Sequence, residues 1–144
     1  YFGSGPQRLP DGTLALTFPM GDKPLSAMAV EDIGKCAYGI FKRGREGMGK
    51  TIGIAGGHLT GSQMAAALSR ALGKEIRYNA VTPEVYRGLG FPGAEDLGNM
   101  FQFKRDFNDY YCGVRNVEFA RSLNPELQSF EQWLDKHKDQ IPLP

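Results

Sequence analysis

Between Thr51 and Val81 the chain changes its hydrophobic period twice, and this constrains the fold more than any other stretch. TIGIA, residues 51–55, is a short apolar run of the kind a buried strand carries. Residues 64–72 then place Met64, Ala65, Ala67, Leu68, Ala71 and Leu72 at helical spacing. EIRYNAV, residues 75–81, alternates, with Ile76 and Tyr78 to one side. Thr60-Gly61-Ser62-Gln63 has the capping-box pattern at the helix start, and Gly73 supplies the stop. A strand–helix–strand order of this length demands a sheet with a helix on one face.

The flanks extend the pattern. Asp11-Gly12 marks a turn before TLALTF, residues 13–18, where Leu14, Leu16 and Phe18 alternate with smaller residues. AMAV, residues 27–30, reads as another short strand. Asp32 follows as a helix N-cap, with Ile33, Cys36, Ala37, Ile40 and Phe41 as the buried stripe behind it. Thr82-Pro83 opens a further helix. Residues 94–107 look helical through Leu97, Met100 and Phe101, and Val117, Ala120 and Leu123 give a weaker helical signal. Ser129 to Gln132 is a second capping box, heading a helix with Phe130, Trp133, Leu134 and His137 on one face. The expectation is an α/β domain of α+β character: a small mixed sheet of about four short strands packed with five or six helices. The alternation is too short for a complete doubly wound sheet.

GIAGGHLTG, residues 53–61, resembles a phosphate-cradling turn because glycines sit between a strand and a helix. A dinucleotide fingerprint needs G-x-G-x-x-G or a close variant. Glycines at 53, 56, 57 and 61 offer no such triple. Thr60 as N-cap would also occupy the amides a phosphate needs. Gly56, Gly57 and His58 are better read as a tight turn lining a cleft. Tyr38 and Lys42 match Y-x-x-x-K, the spacing at which a lysine lowers a tyrosine's pKa for proton exchange with a carbonyl. They fall away from the apolar stripe, which favours a solvated pair. The two histidines lie too far apart in sequence to suggest a metal site. Cys36 reads as an inert core thiol and Cys112 as the more reactive of the two. Phe101, Phe103, Phe107, Tyr110 and Tyr111 are more aromatic surface than one narrow helical stripe buries, so part of the set should face a ligand or partner; Phe101 and Phe103 are candidate cleft residues.

Composition excludes several classes. The chain has 144 residues, one domain's worth, with 41% hydrophobic and 23% charged residues. A net charge of +1 argues against electrostatic capture of nucleic acid. No apolar run reaches the roughly 18 residues of a membrane span. Two cysteines without metal or disulfide spacing favour a reducing compartment, cytoplasm or nucleus. Gly3-Ser4-Gly5 reads as a flexible connection, so residues 1–5 are expected to be a junction or engineered linker, a natural loop being the alternative.

Three sets of residues resemble the C-terminal half of NmrA-like proteins, in the atypical short-chain dehydrogenase superfamily. The first is PMGDKPLSAMAVEDIG, residues 19–34, and the second GKTIGIAGGHLTGSQMAAALSRALGKEIRYNAVTPEVY, residues 49–86. The third joins LGFPGAEDLGNMFQF, residues 89–103, with LNPELQSFEQWLDKHK, residues 123–138. This last set is the most specific, and it is most similar to the animal NADPH-sensor branch. Only residues 3–5 and 104–116 fit poorly.

The resemblance implies that residues 6–144 form an NmrA-like C-terminal lobe without the N-terminal Rossmann domain, which in the family binds NADP(H). It implies a regulatory role through a protein partner and the missing Rossmann domain, with a homodimer as a further expectation and neither nucleic acid nor membrane as partner. Tyr1 and Phe2 resemble the family's aromatic pair at the junction near the cofactor. With Gly3-Ser4-Gly5 where an Asn-bearing helix should follow, no NADP(H) binding is expected of this chain alone. No catalytic residue and no metal ligand is assigned. The alternative is the substrate-binding lobe of an NAD(P)H-dependent reductase similar to quinone and isoflavone reductases.

Overall fold

A computed structural model describes residues 5–144 of the chain. Tyr1 and Phe2 lie outside the described residues. β1 (Gln7–Arg8) and β2 (Leu14–Thr17) form an antiparallel pair closed by the predicted turn, where Gly12 takes a positive φ of 86° and the Asp11 carboxylate accepts the Thr13 N–H at 2.9 Å. β3 (Leu25–Ala27) and α1 (Val30–Lys42) follow, then a single 3-10 turn, Gly44–Gly47. β4 (Gly57–Leu59) leads into α2 (Gly61–Leu72), and β5 (Ile76–Asn79) returns alongside β2. The remainder is helical: α3 (Pro83–Arg87), α4 (Ala94–Asp106), α5 (Asn108–Gly113), α6 (Val117–Leu123) and α7 (Phe130–His137). No helix among the described residues is long and apolar enough to cross a membrane.

The strands make two separate units. One is a three-stranded mixed sheet in the order β1-β2-β5, with β2 and β5 parallel from Leu14↔Ile76 to Thr17↔Asn79. The other is the antiparallel ribbon β3–β4, with Ser26 opposite His58. The fold class is the expected mixed α/β, although the strands are shorter and divided between two sheets.

Local signals put the helix ends in place. Thr60 accepts the Gln63 N–H while the Gln63 side chain accepts the Thr60 N–H, and Ser129 and Gln132 repeat the exchange at α7. Gly73 ends α2 in the left-handed region. Gly61 lies against the Tyr78 ring, where any side chain would collide. That ring is fixed in turn: its hydroxyl donates to the Phe18 carbonyl at 2.9 Å and accepts from the Met20 N–H at 3.2 Å. Ser69 fastens α2 to β5, accepting the Ile76 N–H at 2.9 Å and donating to the Ala65 carbonyl at 2.8 Å.

Three apolar clusters hold the chain together. Leu14, Ala65, Ala67, Leu68, Ile76 and Leu134 pack between the sheet, α2 and α7. Met20, Leu25, Met64, Tyr86, Phe101 and Tyr111 fill the space between both strand units and α3–α5. Cys36, Ala120, Leu123 and Leu127 join α1 to α6.

Four expectations are corrected. AMAV is not a strand: β3 lies two residues earlier and Val30 already begins α1. Asp32 is not the N-cap, which is Ala29; Asp32 sits in the first turn, fully buried. The stripe of α1 is rotated from the predicted one, so Asp32 and Cys36 face inward while Ile33 and Phe41 face outward. TIGIA forms no strand beyond a one-residue parallel bridge between Ile54 and Asn116, whereas Gly57 and His58, read from sequence with Gly56 as a tight turn, lie in β4. A strand needs a hydrogen-bonded ladder: β4 has β3, while residues 51–53 form no ladder among the described residues, although Gly53 packs against the Val114–Arg115 backbone.

Candidate functional site

Two surfaces remain after the core is assigned. The first is the outer face of α1. Val30 is 79% exposed, Ile33 48% and Phe41 79%, at helical spacing along one side. Beside them Tyr38 is exposed, with the Lys42 ammonium 5.6 Å from its ring centre. A groove of about 630 Å³ runs from these two residues to Leu123–Glu126. The Tyr-Lys pair is on the open side of the helix, but together with Ile33 and Phe41 rather than away from them as the spacing argument has it. Exposed, contiguous apolar side chains on a helix whose opposite face is buried mark an interaction surface.

A buried polar network anchors the inner face of α1. Asp32 Oδ1 accepts from the Asn124 side chain at 2.9 Å, and Oδ2 accepts from the Gln128 N–H at 3.0 Å and its side-chain amide at 3.3 Å. The Gln128 side-chain carbonyl accepts from Lys136 of α7 at 2.8 Å. An acidic residue before an apolar run is the same signal for a cap and for this anchor; only the distant Asn124 and Gln128 distinguish them. Cys36 beside it donates to the Ala120 carbonyl, and burial, then the Asp32 charge, pushes its thiol pKa up. Its full burial places it in the core.

The second surface gathers around β4 and α5. Gly56 allows its backbone to approach Ala27, to whose carbonyl it donates at 2.8 Å; a side chain there would press on the Ala27 oxygen and Met28. Gly57 has open space around it and opens β4. The His58 ring meets the Arg115 carbonyl at 2.9 Å through Nε2. A carbonyl only accepts, so Nε2 carries the hydrogen. Tyr111, buried, donates its hydroxyl to the Ser26 carbonyl at 3.0 Å. The Arg115 guanidinium lies 4.3 Å from the Tyr111 ring centre, and the Lys104 ammonium 5.3 Å from the same ring. Burial, then the Arg115 charge, lowers the Lys104 pKa.

The aromatic residues divide between core and surface. Phe101 is 2% exposed and packs edge-on against Tyr86 at 5.4 Å, as part of the core rather than a cleft wall. Phe103 is 48% exposed and pairs with Phe107 at 5.2 Å. Among the described residues no hydrogen bond or ring contact joins His58 to either. Cys112 is half-buried, and its thiol pKa is raised, chiefly by burial, which opposes the reactive thiolate expected of it. The sequence marks Tyr111 only as one of the aromatic set and leaves Lys104 and Arg115 unmarked, because the break at Phe107 interrupts the helical spacing that relates them. No cluster of metal-ligating side chains occurs among the described residues, and Thr60 and Gln63 occupy the capping amides at the start of α2.

Comparison with known proteins matches residues 5–134 to the NmrA-like family. NmrA-like family domain-containing protein 1 of Rattus norvegicus is 35% identical over 91 residues, covering 59% of this chain and 55% of the relative. The crystal structure of NmrA, a negative transcriptional regulator, in complex with NADP superposes with a TM-score of 0.66 at 24% identity, over 90% of this chain and 44% of that one. Citrobacter triphenylmethane reductase complexed with NADP(H) gives 0.66 at 18% identity, over 85% and 44%. The chain thus spans about half the length of these relatives.

Proposed function

The chain belongs to the NmrA-like family, and from that premise we propose that it serves as the non-catalytic C-terminal lobe of an NADP(H)-sensing regulator, working through protein contact. The observation that carries this reading is the outer face of α1, where Val30, Ile33 and Phe41 stand open. An apolar helix face without a cover among the described residues is what a companion lobe would cover. The relatives extend well beyond the share this chain covers, and the NmrA and triphenylmethane reductase structures hold NADP or NADP(H). In this reading the cofactor sits in the companion lobe and this lobe supplies the cover and the regulatory surface. The exposure of Tyr38 and Lys42 on the open side of α1 supports a non-catalytic role. Titrating the 144-residue chain with NADPH by calorimetry tests the proposal. No micromolar binding is expected, and a micromolar Kd overturns it.

The alternative, a substrate-binding lobe of an NAD(P)H-dependent reductase of the quinone or isoflavone type, draws on the likeness to triphenylmethane reductase and on the exposed Phe103–Phe107 pair. Hydride transfer from NADPH to a small quinone, on adding a dinucleotide-binding lobe of the family, would replace the sensor reading with this one.

A further inference from the structure

The segment 104–116, where the family resemblance is weakest, holds an arrangement that the proposed function does not use. Lys104 and Arg115 are both half-buried, and both lie over the ring of the buried Tyr111. Neither makes an ion pair with any described residue. The neighbouring Arg105 differs, since its charge is taken by Asp106 at 2.8 Å. The acid whose field reaches this corner, Asp109, acts on Cys112 and pairs with neither cation. The Lys104 ammonium has three N–H donors and no protein acceptor within hydrogen-bonding distance among the described residues. Arg115 spends one N–H on the Tyr111 carbonyl at 2.8 Å and keeps the rest of its fork.

The frame beneath them is fixed from three directions. Tyr111 is held by the Ser26 carbonyl, the backbone at Arg115 by His58, and the end of α4 by Asn108, whose side chain donates to the Lys104 and Pro24 carbonyls at 2.9 Å each. Two like charges held close in a partly desolvated setting are costly unless an opposite charge joins them. The lowered pKa of Lys104, caused by burial and by Arg115, has the same origin.

We propose that Lys104 and Arg115, mounted on Tyr111, form a subsite for one oxyanion group, phosphoryl or carboxylate, of a bound molecule. The anion takes the ammonium donors of Lys104 and the free edge of the Arg115 guanidinium, in charge-assisted hydrogen bonds. It offsets the repulsion between the two cations.

The test is a titration of the 144-residue chain with inorganic phosphate and, separately, with acetate, at constant ionic strength and followed by amide NMR. Saturable shifts at Lys104, Tyr111 and Arg115 with a Kd on the order of 1 mM are expected for at least one anion. Saturation by phosphate alone assigns a phosphoryl ligand, and saturation by acetate assigns a carboxylate one. Lys104→Gln and Arg115→Gln should each weaken binding about tenfold. Thermal denaturation supplies a second readout. Phosphate should raise the Tm of the unaltered chain but not of the double variant, while Lys104→Met alone should raise Tm without any anion. No saturable shift at these residues with either anion, or undiminished binding by the double variant, overturns the proposal.

Discussion

α1 and α2 carry similar apolar patterns in sequence and end in opposite circumstances. α2 turns Met64, Ala65, Ala67 and Leu68 into the core, against the sheet and α7. α1 turns a carboxylate and a thiol inward and leaves Val30, Ile33 and Phe41 in the open. Periodicity reports that a helix has an apolar side; it does not report which element covers that side. In α2 the cover lies nearby in the same lobe, whereas the α1 face lacks one among the described residues.

The largest effect expected from breaking this contrast is at the inner face of α1. Asp32→Ala removes the acceptor for three buried N–H groups and should cost about 3 to 4 kcal/mol in chemical denaturation. Leu68→Ala in α2 should cost about 3 kcal/mol, through lost burial and a cavity. If Leu68→Ala proves nearly neutral, the α2 side of the comparison fails. Thr60→Ala, which removes the cap of α2, should cost about 1 kcal/mol. Phe41→Asp should change stability by no more than about 0.5 kcal/mol, yet shift sedimentation toward monomer if exposed α1 faces pair two copies. A loss of several kcal/mol at Phe41 would mean that this face is covered within the lobe.

A smaller pH effect belongs to Lys104. Its folded pKa lies below the ordinary lysine value, so the unfolded chain holds that proton more tightly. Stability should therefore rise with pH through the window just below 10.5, the reference value. Lys104→Met should flatten this segment of the curve.

Much of the fold was legible where its cause is local. The capping boxes at Thr60 and Ser129, the Thr82-Pro83 start and the Gly73 stop depend on residues within one turn, and each occurs. What failed depends on distant partners. Asp32 looks like a cap until Asn124 and Gln128, 92 and 96 residues away, claim its oxygens. Gly57–Leu59 looks like a turn until Leu25–Ala27 pairs with it. TIGIA has strand composition, but pairing is a property of two segments, and Ile54 makes only a single bridge. At the candidate site, His58 was singled out for its position after two glycines, and it does join a polar cluster. Its partner, the Arg115 carbonyl, comes from a segment whose helical spacing is broken at Phe107, so sequence alone could not bring it there.

Gln128 has a consequence for how this lobe responds to load. One residue ties the first turn of α1, through Asp32, to the last turn of α7, through Lys136. α1 is therefore a helix that cannot shift alone. Displacing it strains bonds inside the lobe and draws on α7, at the chain's far end. The arrangement makes one buried carboxylate and one glutamine the common anchor of two helices that do not otherwise share a core cluster.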